Sequence, residues 1–185
     1  MQNSEFTDKK LSLFFSHLDV NNSGTITTTE LQRVLLNGDW TPFNLDTIQL
    51  LFDLFDQDRN GYIHYQEFVG LWRYIEDWKK IYAAFDQDNS GDISINELTL
   101  AMRNFGFNIS EKILTKFVKK YKIKYSSGEK KVINEEKLSV NFDNFIQICV
   151  TVKDLTDVFR TLDENGDGWA KMNYNQFMEL MIKHK

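Results

Sequence analysis

Apolar and polar positions in this chain come in blocks, and one block recurs five times. Ahead of each polar stretch stands an apolar triplet: Phe14, Phe15, Leu18; Leu51, Phe52, Phe55; Ile81, Tyr82, Phe85; Phe117, Val118, Tyr121; and Val158, Phe159, Leu162. Behind each stands another: Leu31, Val34, Leu35; Phe68, Leu71, Trp72; Leu98, Ala101, Met102; Phe145, Ile148, Cys149; and Phe177, Leu180, Met181. Spacings of three and four put each triplet on a single helix face, so every block predicts helix, polar loop, helix. The expected fold is all-α, built from five such units at about 8–37, 45–74, 75–106, 110–151 and 152–184 of a single domain covering 1–185.

The connections carry a second pattern. Glu67 to Asp86 and Asn144 to Asp163 leave room for one continuous helix that exits one loop and enters the next. Breaks are expected at Asn37-Gly38 with Pro42, and at Gly106 with Ser110 as a helix N-cap. Units one and two thus pair, as do three and four, and the fifth has no mate within the chain.

Three of the loops are twelve residues long, with aspartate at place one, glycine at six and glutamate at twelve: Asp19 to Glu30, Asp56 to Glu67 and Asp86 to Glu97. A random position matches this pattern with a chance on the order of 10⁻⁵ to 10⁻⁶. The chemistry it serves is that of Ca²⁺, a hard cation that takes six to eight oxygens. In the first loop the candidate ligands are Asp19, Asn21, Ser23, the Thr25 carbonyl, Thr27 and Glu30. In the second they are Asp56, Asp58, Asn60, the Tyr62 carbonyl and Glu67, with Arg59 and His64 as competing charge. In the third they are Asp86, Asp88, Ser90, the Asp92 carbonyl, Ser94 and Glu97. Ile26, Ile63 and Ile93, at place eight, are expected in short strands that join paired loops.

The other two units depart. Unit five offers Asp163, Asn165, Asp167 and the Trp169 carbonyl, but Tyr174 stands at place twelve, so it is either a weak, Mg²⁺-tolerant site or a structural turn. Unit four has a longer, lysine-rich loop that is not expected to hold metal. Its cluster Lys119, Lys120, Lys122, Lys124, Lys130 and Lys131 reads either as a solvated surface or as a docking patch for acidic lipid or an acidic partner.

Composition narrows the class. A net charge of −5 argues against a nucleic-acid partner, and binding three Ca²⁺ would move it to about +1. The chain has no run of about 18 apolar residues and no apolar start suited to a signal peptide, which predicts a cytoplasmic protein, with calcium-dependent association with membranes as the extension. Cys149 lies in an apolar run and reads as a buried structural thiol. His17, His64 and His184 are scattered and no nucleophile has a recognisable setting, so no enzyme is expected.

Five units of this kind, with a degenerate fourth and a lengthened, acid-poor fifth, resemble the penta-EF-hand family. The likeness covers about Phe6 to Ile182. Within the family, Asn37-Gly-Asp-Trp-Thr-Pro-Phe-Asn44, Trp72 with Trp78, Phe142-Asp-Asn-Phe-Ile-Gln147 and Asp167-Gly-Trp169 are similar to the group containing programmed cell death protein 6 and peflin. The resemblance implies a calcium sensor whose fifth hand pairs with that of a second subunit, as a homo- or heterodimer, and which recognises proline-rich peptides on partners in membrane traffic or repair. Independently of it, an unpaired fifth unit leaves an open apolar face around Phe159, Leu162, Phe177 and Met181, which a second copy would cover. Trp40, Trp72, Phe105, Phe107 and Tyr174 are candidates for a partner pocket, each also suited to core packing. The sensor and adaptor reading competes with a cytosolic calcium buffer and with the regulatory subunit of a calpain-like protease.

Overall fold

The structure, a computed structural model, describes residues 8–123 and 138–183. The elements run α1 (Asp8–Leu18), β1 (Thr25–Ile26), α2 (Thr28–Gln32), α3 (Leu45–Phe55), β2 (Ile63–His64), α4 (Tyr65–Phe85), β3 (Ile93–Ser94), α5 (Ile95–Asn104), α6 (Glu111–Ile123), β4 (Ser139–Val140), α7 (Phe142–Leu162) and α8 (Tyr174–Lys183). The only strands among the described residues are two antiparallel pairs, one joining β1 to β2 and one joining β3 to β4. Ile26 sits opposite Ile63, and Ile93 opposite Val140. The place-eight isoleucines are thus where the spacing puts them, and the degenerate fourth unit still supplies its strand.

Both long helices are continuous: α4 and α7 each run 21 residues. The breaks also fall as expected. α5 ends on a left-handed Gly106 (φ 82°), with the Gly106 and Phe107 amides bonding the carbonyls of Arg103 and Met102 at 3.0 and 2.8 Å. α6 begins directly after Ser110. Asn44 caps α3 by accepting from the Thr47 amide.

One helix is shorter than its apolar triplet suggests. α2 stops at Gln32, because the chain beyond Leu35 folds into a tight turn closed by the Leu36–Pro42 bridge and by the Phe43 amide on the Leu35 carbonyl at 2.9 Å. The turn places Trp40 at φ 65° and leaves the residue 81% exposed.

The chain divides into two compact units, 1–148 and 149–185, with the boundary inside α7. In the first, α4 forms the spine of an aromatic core. Phe68 and Trp72 meet Phe14 and Phe15 of α1, while Trp78 and Tyr82 meet Phe145 of α7 at 5.8 and 5.4 Å. In the second, the last turns of α7 and all of α8 leave Leu155, Phe159, Phe177, Met178, Met181 and Ile182 exposed. Cys149 is buried, and burial pushes its thiol up, which fits a structural role.

Polar side chains also enter the core of the first unit. Asp143, 2% exposed, accepts from the Asn44 amide at 2.7 Å and its Nδ2 at 2.8 Å, and from the Asn144 amide at 2.7 Å. Its own amide donates to Asn37 Oδ1 at 3.0 Å. The two ends of the Asn37–Asn44 turn are therefore gripped by the start of α7, a contact that sequence reading did not foresee.

Candidate metal centres

Each loop is built by its opening aspartate. Asp86 accepts from the amides of Ser90 and Gly91 at 2.9 and 3.0 Å, Asp56 from Asn60 and Gly61 at 3.1 and 2.8 Å, and Asp19 from Ser23 and Gly24 at 2.8 and 2.7 Å. Such bonds bend the backbone around the carboxylate and require positive φ at two places. Glycine supplies place six at φ 80–83°, and Asn22, Arg59 and Asn89 supply place four at φ 53–56°. The demand at place four was not read from the sequence, although asparagine there in two of the three loops was its signal.

Glutamate closes the loop from the other side. Glu97 accepts from the Gln87 amide with Oε1 at 2.8 Å, and from the Ser94 amide and hydroxyl with Oε2 at 2.8 and 2.7 Å. Glu67 repeats this with Gln57 at 2.9 Å and His64 at 2.8 Å. Glu30 accepts from the Thr27 amide and hydroxyl. The same glutamates complete capping boxes at the starts of α2 and α5, and Glu67 caps the His64 amide at the start of α4. One residue thus serves both the ion site and the first turn of the exit helix.

The carboxylates converge. Asp56, Asp58 and Glu67, and likewise Asp86, Asp88 and Glu97, each bring an oxygen within 4.8 Å of the others. Three like charges so close, with oxygen donors only, fit a hard divalent cation. In the third loop Glu97 is pushed up by burial, but the bonds from Ser94 and Gln87 outweigh this and hold it below the ordinary carboxylate value. Bonds from Ser90 hold Asp88 low as well. The first loop has only Asp19 and Glu30 as carboxylates, both buried, and Asn21, whose Oδ1 accepts from the Ser23 amide at 2.9 Å, with Ser23, Thr25 and Thr27 forms the rest of its bonded lining. In the second, the His64 ring stands 3.1 Å from Asn60 Nδ2 and 4.0 Å from Asp58, at the edge of the cluster, and the Arg59 side chain is exposed.

The fifth loop starts in the same way. Asp163 accepts from the amides of Asp167 and Gly168 at 3.1 and 3.0 Å, with glycines at places four and six at φ 68° and 84°. Asn165 bonds Asp167 at 3.0 Å, and Trp169 is 81% exposed. The closing half differs from the expectation in one respect. The reciprocal cap of α8 joins Asn173 and Gln176, at 2.9 and 3.0 Å, and not the residues at places nine and twelve. The loop is two residues longer than its relatives, and the side chain in the glutamate's structural position is Gln176, with Tyr174 only at the helix start.

Tyr82 ties the third loop to the fourth unit: its hydroxyl lies 2.9 Å from the Gly91 carbonyl and 3.1 Å from that of Val140. Ser139 reaches Asp92 Oδ2 at 3.0 Å. Of the proposed pocket aromatics, Trp72 is buried against Phe14 and Phe68, and Phe105 packs on Trp78 and Phe85. Trp40 and Tyr174 are exposed and Phe107 is half-buried. Of the lysine cluster, Lys119, Lys120 and Lys122 belong to α6, whereas Lys124, Lys130 and Lys131 lie outside the described residues, as does His184. Among the described residues no helix is long and apolar enough to cross a membrane.

Known proteins agree with this geometry. Residues 8–73 match the model of an EF-hand domain pair, and residues 129–170 match a second such model. The chain is similar to sorcin of Schistosoma japonicum, at 35% identity over 89% of both chains. It is similar to peflin of Danio rerio at 29% identity over 91% of this chain, and spans 59% of the length of that relative. Its fold is shared by a solved homologue of programmed cell death 6 protein from Leishmania major Friedlin, with a TM-score of 0.73 and 22% identity, covering 95% of this chain and 94% of that one. With its repeated loops, oxygen clusters and this likeness to sorcin, the chain belongs to the penta-EF-hand family of calcium-binding proteins.

Proposed function

We propose that this protein is a calcium sensor and adaptor, which converts ion binding in its loops into exposure of apolar surface for partner proteins. The observation that carries the reading is α4. Glu67, the closing ligand of the second loop, lies in its first turn, and Asp86, the opening ligand of the third, follows its last residue. The face between them carries Phe68, Leu71, Trp72 and Ile75, all buried. An ion that draws Glu67 inward therefore moves a helix on which the aromatic core is assembled. Asp19 through Glu30, Asp56 through Glu67 and Asp86 through Glu97 act in this reading as the Ca²⁺ sites, with Asp163, Asn165, Asp167 and Trp169 as a weaker site open to Mg²⁺.

The same reading includes a homo- or heterodimer through the fifth unit, which would cover the exposed Phe159, Phe177, Met178 and Met181. Proline-rich segments of proteins in membrane traffic or repair are the proposed partners, with Trp40 as an exposed aromatic face for proline rings. The protein works in this account in the cytoplasm, and rising calcium strengthens its association with membranes. Tryptophan emission and binding of an apolar dye, followed during Ca²⁺ titration, test the sensor step. A blue-shifted dye signal that is lost in Glu67→Ala and Glu97→Ala supports it. Tight ion binding with no optical change would instead identify a buffer.

A further inference from the structure

α6 has a sharply divided surface. Its sequence carries a single acidic residue, Glu111, at the first position, against lysines 112, 116, 119, 120 and 122. At about 100° per residue, Lys112, Lys116 and Lys120 fall within an arc of roughly 80°, about 12 Å long, and Glu111 and Lys122 lie outside it. Leu114, Val118 and Tyr121, which are buried, occupy the opposite side of the helix. Lys112, Lys116 and Lys120 are exposed, and none of them enters an ion pair among the described residues, Lys120 Nζ standing 5.5 Å from the centre of the Tyr121 ring. The core therefore fixes the helix by one face and presents a lysine face outward.

We propose that the Lys112–Lys116–Lys120 face of α6 is a calcium-independent docking surface for anionic phospholipid headgroups. It rests on these residues and not on the adaptor reading. Charge complementarity names the occupant as anionic, and the residue type favours lipid. Lysine is a flexible point charge suited to many mobile headgroups, whereas fixed carboxylates or phosphates are gripped bidentately by arginine, which this face lacks. The net charge of −5 does not oppose docking, because charges farther away than the Debye length of about 8 Å are screened at physiological salt. Each lysine held near such a surface contributes enough for several-fold tighter binding, so three together give a measurable attachment.

The test uses the full chain with calcium chelated, sedimented with vesicles of phosphatidylcholine alone or with about 30% phosphatidylserine. The wild-type chain is expected to pellet with the phosphatidylserine vesicles only, and to be released as salt rises. Lys112→Glu/Lys116→Glu/Lys120→Glu is expected to lower partitioning at least ~10-fold, and the triple glutamine variant less. Lys9→Glu/Lys10→Glu/Lys171→Glu, which changes the net charge equally at exposed positions elsewhere, should alter it less than about twofold. Helical circular dichroism confirms that each variant is folded. Equal binding to neutral vesicles, equal losses in the two triple reversals, or no pelleting without calcium would overturn the proposal. So would retention on immobilised polyglutamate without vesicle binding, which would assign the face to an acidic protein. The calcium-dependent optical response is read separately, so the adaptor reading and this one fail independently.

Discussion

Asp86 of the third loop and Asp163 of the fifth hold the same pair of downstream amides, and both loops bend through positive φ at places four and six. They part company in the second half. The third loop is closed by Glu97, paired through β3 with β4, and tied by the Tyr82 hydroxyl to the neighbouring strand. The fifth has Gln176 in the closing position, no strand among the described residues, and Phe159 where the third unit has Tyr82. The turn is thus encoded by the first six residues, whereas ion affinity depends on what closes the loop and what braces it.

The largest expected effect erases the difference at its source. Glu97→Ala should remove one binding event from a calorimetric Ca²⁺ titration, weakening the third loop by more than the ~10–100-fold that loss of a secondary partner costs a metal site. The converse change sharpens the comparison. Gln176→Glu should tighten divalent-ion binding in the fifth loop by at least ~10-fold, while Tyr174→Glu should leave it nearly unchanged, because only position 176 is turned back toward the loop by the cap.

Asp143 braces the first unit. Asp143→Ala would leave the Asn44 amide without its acceptor and Asn44 Nδ2 with only Asn144 Oδ1 at 3.2 Å, and should cost about 2 kcal/mol in denaturant unfolding. Burial raises the Asp143 carboxyl, against the pull of the Asn44 and Asn144 amides. A raised acid favours the folded state at low pH, and that contribution is lost as pH rises from the unfolded value near 3.9 through the folded one. Asp143→Asn, which cannot titrate, should remove this slope from the pH dependence of stability above about pH 4. The smallest effect makes the third loop resemble the fifth in its bracing. Tyr82→Phe should destabilise by about 1 kcal/mol and weaken calcium binding only slightly, read by thermal melts with and without Ca²⁺.

Much of this architecture was legible in the chain because it is local. A twelve-residue ligand pattern, a place-eight isoleucine and a nineteen-residue interval each report a geometry completed within a few turns of backbone, and the loops, β1 to β3, α4 and α7 follow from them. Gln176 was not legible, because the closing position depends on where α8 starts. That start is set by the Asn173 cap, whereas counting from Asp163 points to Tyr174. The Asn37–Asn44–Asp143 network was missed for another reason. Its members lie about a hundred residues apart, and polar side chains in a core leave no hydrophobic period to find. The early end of α2 came from the same tight turn, whose cross-chain bonds outcompete the helical propensity of Val34 and Leu35.

A rod of 21 residues, about 32 Å long, joins the last ligand of one loop to the first ligand of the next. Two ions that share such a rod cannot be thermodynamically strangers. Whatever free energy the first contributes by setting the rod's orientation is returned to the second, and linkage makes the favour mutual. Occupancy of the second and third loops should accordingly rise together, with a Hill coefficient above one, and Glu67→Ala should lower the affinity of a site whose own ligands are all intact.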